Sequence, residues 1–369
     1  MGTYEIFYMD SVQDHTACNL CVKLAADHGF GSLRGFVNGV LRNIARNKDS
    51  IVFPDQEKDK RAYYSVMYSV PEELLEILER DYDYETIDRI LASGDSDRPT
   101  AIRVNTEKIS VTAFSEKLRQ NGITVERGSM NDTSLLISGY DYIRKVPGFF
   151  DGEFVVQDQS SCLAVKAAGI NEGDLVVDVC AAPGGKTMYA AMLTGSEGHV
   201  ISRDLIDKKT ELIEENIERL GLSNVTVQVH DAREFDEELT GKADVVIADL
   251  PCSGLGIMGR KNDIKYHVSM ESVKELAQLQ REILDTVCRY VKPGGTLVYS
   301  TCTIDSIEND ENAVWFADTH DFSLCGIDDV VPEHGGERGF VTLHQGIDEC
   351  DGFFISKFRA DSNNQIGQE

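Results

Sequence analysis

The sequence predicts an α/β chain. Over residues 151–360 it reads as a parallel sheet wound on both faces by helices, preceded by small αβ and helical regions. From Val155 to Ala360, apolar runs of strand length alternate with helical patterns. The run Leu175-Val-Val-Asp-Val179 passes through Cys180-Ala-Ala-Pro-Gly-Gly-Lys186 into Met188-Tyr-Ala-Ala-Met192, which is strand, glycine turn, helix. Two further apolar runs, Val245-Val-Ile-Ala248 and Thr296-Leu-Val-Tyr299, end in cysteine-bearing turns, Asp249-Leu-Pro-Cys-Ser253 and Ser300-Thr-Cys-Thr303. In an open parallel sheet, ligands gather beyond the carboxyl ends of strands. One nucleotide-type pocket and two thiols are therefore expected at one rim.

The elements follow in chain order. Residues 12–47 carry apolar residues at three- and four-residue steps (Val22, Leu24, Ala25, then Phe36, Val37, Val40, Leu41, Ile44), the pattern of helices. Gly29, Gly31 and Ser32 break them, and Ser32 is placed to cap the second helix. Lys48–Arg61 is polar and reads as linker. Pro71-Glu-Glu-Leu-Leu-Glu-Ile-Leu-Glu79 is an amphipathic helix with acids in its first turn. A strand at 99–105, a helix at 111–121 and strands at 123–125 and 135–137 make a small αβ unit over 72–150. Beyond it, strands are expected at 175–179, 199–203, 225–229, 244–249 and 295–300, with a final pair near 322–326 and 352–358. Gly352-Phe-Phe-Ile-Ser-Lys-Phe358 alternates poorly, as a strand buried on both faces does. Residues 361–369 form a polar tail, expected to be disordered.

Composition narrows the class. The chain has 369 residues, 41% hydrophobic and 27% charged, which suits a soluble globular protein with a sizeable core. No apolar run approaches the roughly 20 residues of a membrane helix, and no secretory signal opens the chain. A cytoplasmic location, a monomer and no membrane association are expected. Nine scattered cysteines read as reduced thiols rather than a disulfide framework. Cys18 and Cys21 form the only close pair; without a second pair at ligand spacing, no metal is expected. The net charge of −27 excludes a loose nucleic-acid binder. Yet residues 305–351 hold thirteen Asp/Glu and one Arg, while residues 1–50 hold five acids and five bases. An acidic back with a local basic groove is compatible with a structured RNA; general acidity of the source's proteins explains the charge equally well.

The glycine turn offers a cofactor pocket. Gly184-Gly185 permit a tight turn and close backbone approach, and the following helix presents free N–H groups. Asp204 ends the second strand, where an acid reaches ribose hydroxyls. Asp231 ends the third, within reach of an adenine amino group. Gly185-Lys186-Thr187 looks like the end of a phosphate-binding loop, but Cys180 stands where that loop needs glycine and Pro183 removes a donor. A dinucleotide fingerprint is excluded by the missing third glycine. Cys252 and Cys302 are candidate nucleophiles, with Asp249 and Lys186 as neighbouring charges. Cys162, Cys180, Cys288 and Cys325 read as small core residues. The cations of Arg260-Lys-Asn-Asp-Ile-Lys265 are candidates for phosphate contact.

Together, Ala181-Ala-Pro-Gly-Gly-Lys-Thr187, the two cysteine turns and Gly35-Phe-Val-Asn-Gly-Val-Leu-Arg-Asn-Ile44 resemble the RNA cytosine-5 methyltransferases, and among them the bacterial Sun/Fmu (RsmB) ribosomal-RNA family. The resemblance runs over residues 35–360, with Leu250 replacing a usual alanine. It implies a class I S-adenosylmethionine-dependent methyltransferase (Rossmann-like) sheet whose last strand inserts antiparallel. It divides the chain into a partial NusB-like helical RNA-binding domain (1–50) that begins partway through, a linker (51–71), a pre-catalytic RNA-binding subdomain (72–150) and a catalytic domain (151–360). The resemblance implies that S-adenosylmethionine is held by Cys180, Ala181, Ala182, Pro183, Gly184, Gly185 and Lys186, with Asp204 at the ribose, Asp231 at the adenine and Asp249 between cofactor and base. Carbon 5 of cytosine is a poor nucleophile until a thiolate adds at carbon 6. The residues do not decide which cysteine attacks; the resemblance makes Cys302 the nucleophile and Cys252 the release residue. The partner is RNA, above all small-subunit (16S) ribosomal RNA. A ribosome-assembly factor that keeps the fold with little turnover is the alternative, and two retained cysteines favour the enzyme. A DNA methyltransferase is disfavoured by the lack of a large target-recognition insert.

Overall fold

The computed structural model describes residues 1–95, 98–332 and 334–362, so most of the expected tail lies outside the described residues. Two compact units are present, Met1–Met67 and Tyr68 onward. The first holds helices α1 (Gly2–Tyr8), α2 (Asp14–Asp27), α3 (Arg34–Asn47) and α4 (Lys60–Met67). Its small core is Ile6, Ala17, Cys18 and Leu41, with Cys21, Val37 and Ile44 against it. The Cys18/Cys21 pair is thus packing on α2. Ser32 does not cap α3: it sits inside a 3₁₀ turn, Gly31–Leu33, that runs straight into the helix, and Leu33 holds the cap position without a side-chain bond. The stretch read as linker also contains the start of α4.

The second unit opens with α5 (Glu72–Asp81) and α6 (Tyr84–Ala92), the latter capped by Asp83, whose carboxylate accepts the Thr86 N–H at 2.8 Å. Strand β1 (Thr100–Val104), α7 (Val111–Gln120), β2 (Thr124–Arg127), β3 (Ser134–Ser138) and β4 (Phe154–Val156) follow. They make an antiparallel sheet of order β2-β3-β1-β4. Phe114 and Leu118 of α7 pack on Ile102, Val104, Leu135, Ile137 and Phe154. Strand β4 lies past residue 150, so the small sheet is completed by a segment that the sequence placed in the next domain.

The large sheet is built from α8 (Gln159–Ala168), β5 (Leu175–Asp178), α9 (Gly185–Thr194), β6 (His199–Asp204), α10 (Asp207–Leu220), β7 (Val225–Val229), β8 (Ala243–Asp249), α11 (Met270–Val287), β9 (Val291–Thr301), α12 (Asp310–Thr319), β10 (Phe322–Leu324), β11 (Phe340–Leu343) and β12 (Phe353–Ala360). Its order is β10-β12-β9-β8-β5-β6-β7, with β11 also on β12. The strands from β7 to β9 are parallel, and β12 runs antiparallel to β9. Adjacent residues serve opposite faces, as pleating requires. Val176, Val245 and Val298 pack with Leu163, Val165 and Ala190 of α8 and α9. Val177, Val246 and Leu297 pack with Ile283, Leu284 and Phe316 of α11 and α12. Strand β12 is buried on both faces except near its end. The sequence order reverses between β5 and β8, which opens a crevice beyond their carboxyl ends.

Candidate active site

The glycine turn fills that crevice. Gly184 has φ +101°, so the turn needs glycine for its conformation. The loop is braced from β6: Asp204 accepts the Ala182 N–H at 3.1 Å and the Ile206 N–H at 3.3 Å. A carboxylate has about four acceptor positions, which leaves Asp204 capacity for hydroxyls. Two cavities flank the loop and share Cys180. One, of about 170 Å³, is polar and includes Gln157, Asp178, Ala181, Ala182, Pro183, Gly185, Lys186 and Asp249 in its wall. The other, of about 180 Å³, is mainly apolar, with Leu205, Pro251 and Ile283 beside Asp231. Asp231 is not idle: both carboxylate oxygens are held by Arg233, at 2.7 and 3.1 Å.

These cavities fit S-adenosylmethionine. Buried Gln157 Nε2, a donor, and buried Asp178 Oδ1, an acceptor, lack protein partners and belong to residues that line the polar cavity. An amino-acid end, with its carboxylate and ammonium, supplies one complement for each. Burial pushes the Asp178 carboxyl up to about 7, against the Thr187 hydroxyl and the Lys186 charge that favour ionisation. The apolar cavity suits an adenine ring. Sequence reasoning missed Gln157, because a lone glutamine before a helix carries no periodic or motif signal.

The two thiols meet where β8 and β9 end. Cys252 Sγ lies 3.2 Å from Cys302 Sγ. Their turns are locked together: Gly256 N–H donates to Cys302 O at 3.0 Å and Gly352 N–H to Gly256 O at 2.8 Å. The hydrogen bond from Cys252 holds the Cys302 thiol below its ordinary pKa, with Lys186 and Lys261 adding to it against burial. The same bond, with burial and nearby Glu308, drives Cys252 well upward. The contact favours the charged form at Cys302 over Cys252. Lys186 Nζ sits 2.6 Å from Asp249 Oδ2, and Ser300 Oγ donates to Asp249 Oδ1 at 2.7 Å. Burial alone would lower Lys186, but the charge and hydrogen bond of Asp249, with Asp178, outweigh it and leave it raised.

Glu308, within the stretch 304–312 that also matches the family, takes its role from the fold. Fully buried, it accepts from Ser253 N–H at 2.9 Å and Gln280 Nε2 at 2.9 Å, and it pairs with Ser253 Oγ. Ser253 Oγ in turn lies 2.7 Å from Thr303 Oγ1, so one carboxyl ties both cysteine turns. Burial pushes Glu308 up to about 7. A carboxyl raised in the folded state stabilises below its unfolded pKa of 4.5 and loses that contribution as pH rises through about 7. Glu308→Gln imitates the protonated form, accepting at its oxygen and donating to Ser253. It is expected to flatten the loss of urea stability between pH 5 and 8 by roughly 2–3 kcal/mol. An unaltered pH dependence would show that Glu308 does not titrate there.

The cations expected at the base entrance are mostly committed. Arg260 binds Asp351 at 2.7 Å and approaches Asp158 at 3.6 Å, and Lys265 is buried with its Nζ on Tyr68 O at 3.2 Å. Of the three, Lys261 is left exposed, so phosphate contact by the whole cluster is corrected to that residue.

Known proteins match in the same places. The family model "16S rRNA methyltransferase RsmB/F" fits residues 166–359, a ferredoxin-like domain model of RsmF/B-like methyltransferases fits 70–141, and the NusB family model fits 1–46. The probable ribosomal RNA small subunit methyltransferase B of Bacillus subtilis is 34% identical over 97% of this chain and 81% of its own length. The ribosomal RNA small subunit methyltransferase B of Vibrio cholerae is 31% identical over 96% and 79%. A solved methyltransferase homolog from Pyrococcus horikoshii superposes with TM-score 0.71 at 26% identity, covering 82% of this chain and 99% of that one. With its class I Rossmann-like sheet and its S-adenosylmethionine cleft, the chain belongs to the 16S rRNA methyltransferase RsmB/F family.

Proposed function

We propose that this chain methylates carbon 5 of a cytosine in small-subunit ribosomal RNA through a covalent bond from Cys302 to carbon 6. The observation that supports this most is the thiol pair, 3.2 Å apart, where the turns after β8 and β9 meet. The target base leaves its stack to reach the cleft. The Cys302 thiolate adds to carbon 6, and negative charge developing at N3 is met by the proton held at Lys186 Nζ beside Asp249. S-adenosylmethionine, held by the 180–186 loop, Asp204 and the Asp231 cavity, supplies an electrophilic methyl group. With the methyl group on carbon 5 and S-adenosylhomocysteine as the other product, water in the cleft takes the carbon 5 proton, the ring double bond reforms and Cys302 leaves as thiolate, which Cys252 S–H stabilises on leaving. Unmodified 16S ribosomal RNA incubated with the protein and methyl-labelled S-adenosylmethionine is expected to yield 5-methylcytosine at a mapped position. Label on another atom, or none, overturns the reading.

A further inference from the structure

A cavity of about 570 Å³ in the second unit lies outside the cofactor cleft but shares Val156, Pro183 and Gly185 with it. Its wall carries Arg144, Phe150 and Leu212. Phe150 is 72% exposed, and Val156 beside it 47%. A lone exposed ring is ordinary, but this one stands on a locked loop. Arg219 donates to Phe149 O at 2.8 Å and Phe154 O at 2.9 Å, and its guanidinium lies 4.5 Å from the Phe149 ring centre. Asn105 holds Gly152 O at 3.0 Å, and Lys108 holds Asp151 O at 2.8 Å. Gly152, with φ +66°, packs so tightly on α10 that a Cβ would come 2.2 Å from Arg219 O. The loop therefore presents Phe150 in a fixed pose rather than for want of a fold.

Along the chain, the segment that leads to this ring mixes exposed aromatic and basic side chains: Tyr142, with Lys145 Nζ 5.1 Å from its centre, and Arg144, which shares the cavity wall with Phe150. Such interleaving is how single strands are held, bases on rings and phosphates on cations. Glu215 and Glu218 also line the cavity, and Arg144 stands 4.0 Å from Glu215. Those acids oppose a phosphate inside the cavity and leave room for an uncharged base, with phosphate outside at Arg144 and Lys145. A flipped target also strips its neighbours of a stacking partner.

We propose that Phe150 is the stacking platform for a nucleobase flanking the target cytosine, with Arg144 and Lys145 on its phosphate. The assignment rests on the reading of the chain as an RNA methyltransferase. The test compares wild type, Phe150→Ala and Phe150→Tyr on unmodified 16S ribosomal RNA, with affinity for labelled RNA, KM, kcat at saturating RNA and S-adenosylmethionine affinity as readouts. Because the ring is mostly in solvent, the fold is expected to survive. Phe150→Ala is expected to weaken RNA binding and raise KM about tenfold, the scale of one lost base stack, with kcat and cofactor affinity unchanged and Phe150→Tyr near wild type. Unchanged RNA affinity overturns the proposal. Loss of S-adenosylmethionine affinity instead makes the cavity an annex of the cofactor site and overturns it too. If wild type binds RNA without methylating it, the proposed function fails, while the RNA affinity of Phe150→Ala still decides on the platform.

Discussion

Cys302→Ala is expected to lower methyl transfer by at least ~10⁴-fold, because it removes the attacking atom itself. No covalent protein–RNA adduct should form. Cys252→Ala is expected to behave in the opposite manner. Attack remains possible, but the leaving sulfur loses the S–H donor that lies 3.2 Å away, so an adduct resistant to denaturing gels accumulates. Loss of Cys252 also removes the main cause of the lowered Cys302 pKa, so adduct formation should need a higher pH than in wild type. If the adduct appears with Cys302→Ala and disappears with Cys252→Ala, the roles are exchanged. If neither variant traps RNA while wild type methylates, both thiols are packing.

Lys186→Met is expected to lower kcat at neutral pH by roughly 100-fold, on the scale of removing one positioned donor from a developing charge. Two contributions add. The charge forming on the cytosine ring loses its proton source, and Cys302 loses a positive neighbour. Removing that charge raises the thiol pKa, so the acid limb of the kcat/KM profile should move to higher pH. The pair is 10% and 26% exposed, and the orphaned Asp249 keeps only Ser300. Stability should therefore fall by about 2–3 kcal/mol, below the cost of breaking a fully buried pair. A rate loss with no displacement of the acid limb would leave Lys186 acting on the ring alone.

Three of the small-sheet strands, β1 to β3, and the parallel strands of the cofactor side were legible because their signals are local: apolar runs and glycine turns within one window. The antiparallel insertion of β12 came from family resemblance, since periodicity has no sense of strand direction. Strand β4 was overlooked for the same reason, being only three residues whose role is set by pairing with β1.

For the site, the sequence by itself placed a glycine turn after β5 and Cys252 and Cys302 at strand ends, because strand-to-turn punctuation is written in adjacent residues; the cofactor assigned to that turn came from family resemblance. The tertiary structure decided the rest: that the two sulfurs touch, that Glu308 binds both turns, and that Arg260 is taken by Asp351. Each depends on groups 50 or more residues apart. Their pKa and availability are set by burial and by the charge brought alongside, which no local pattern records.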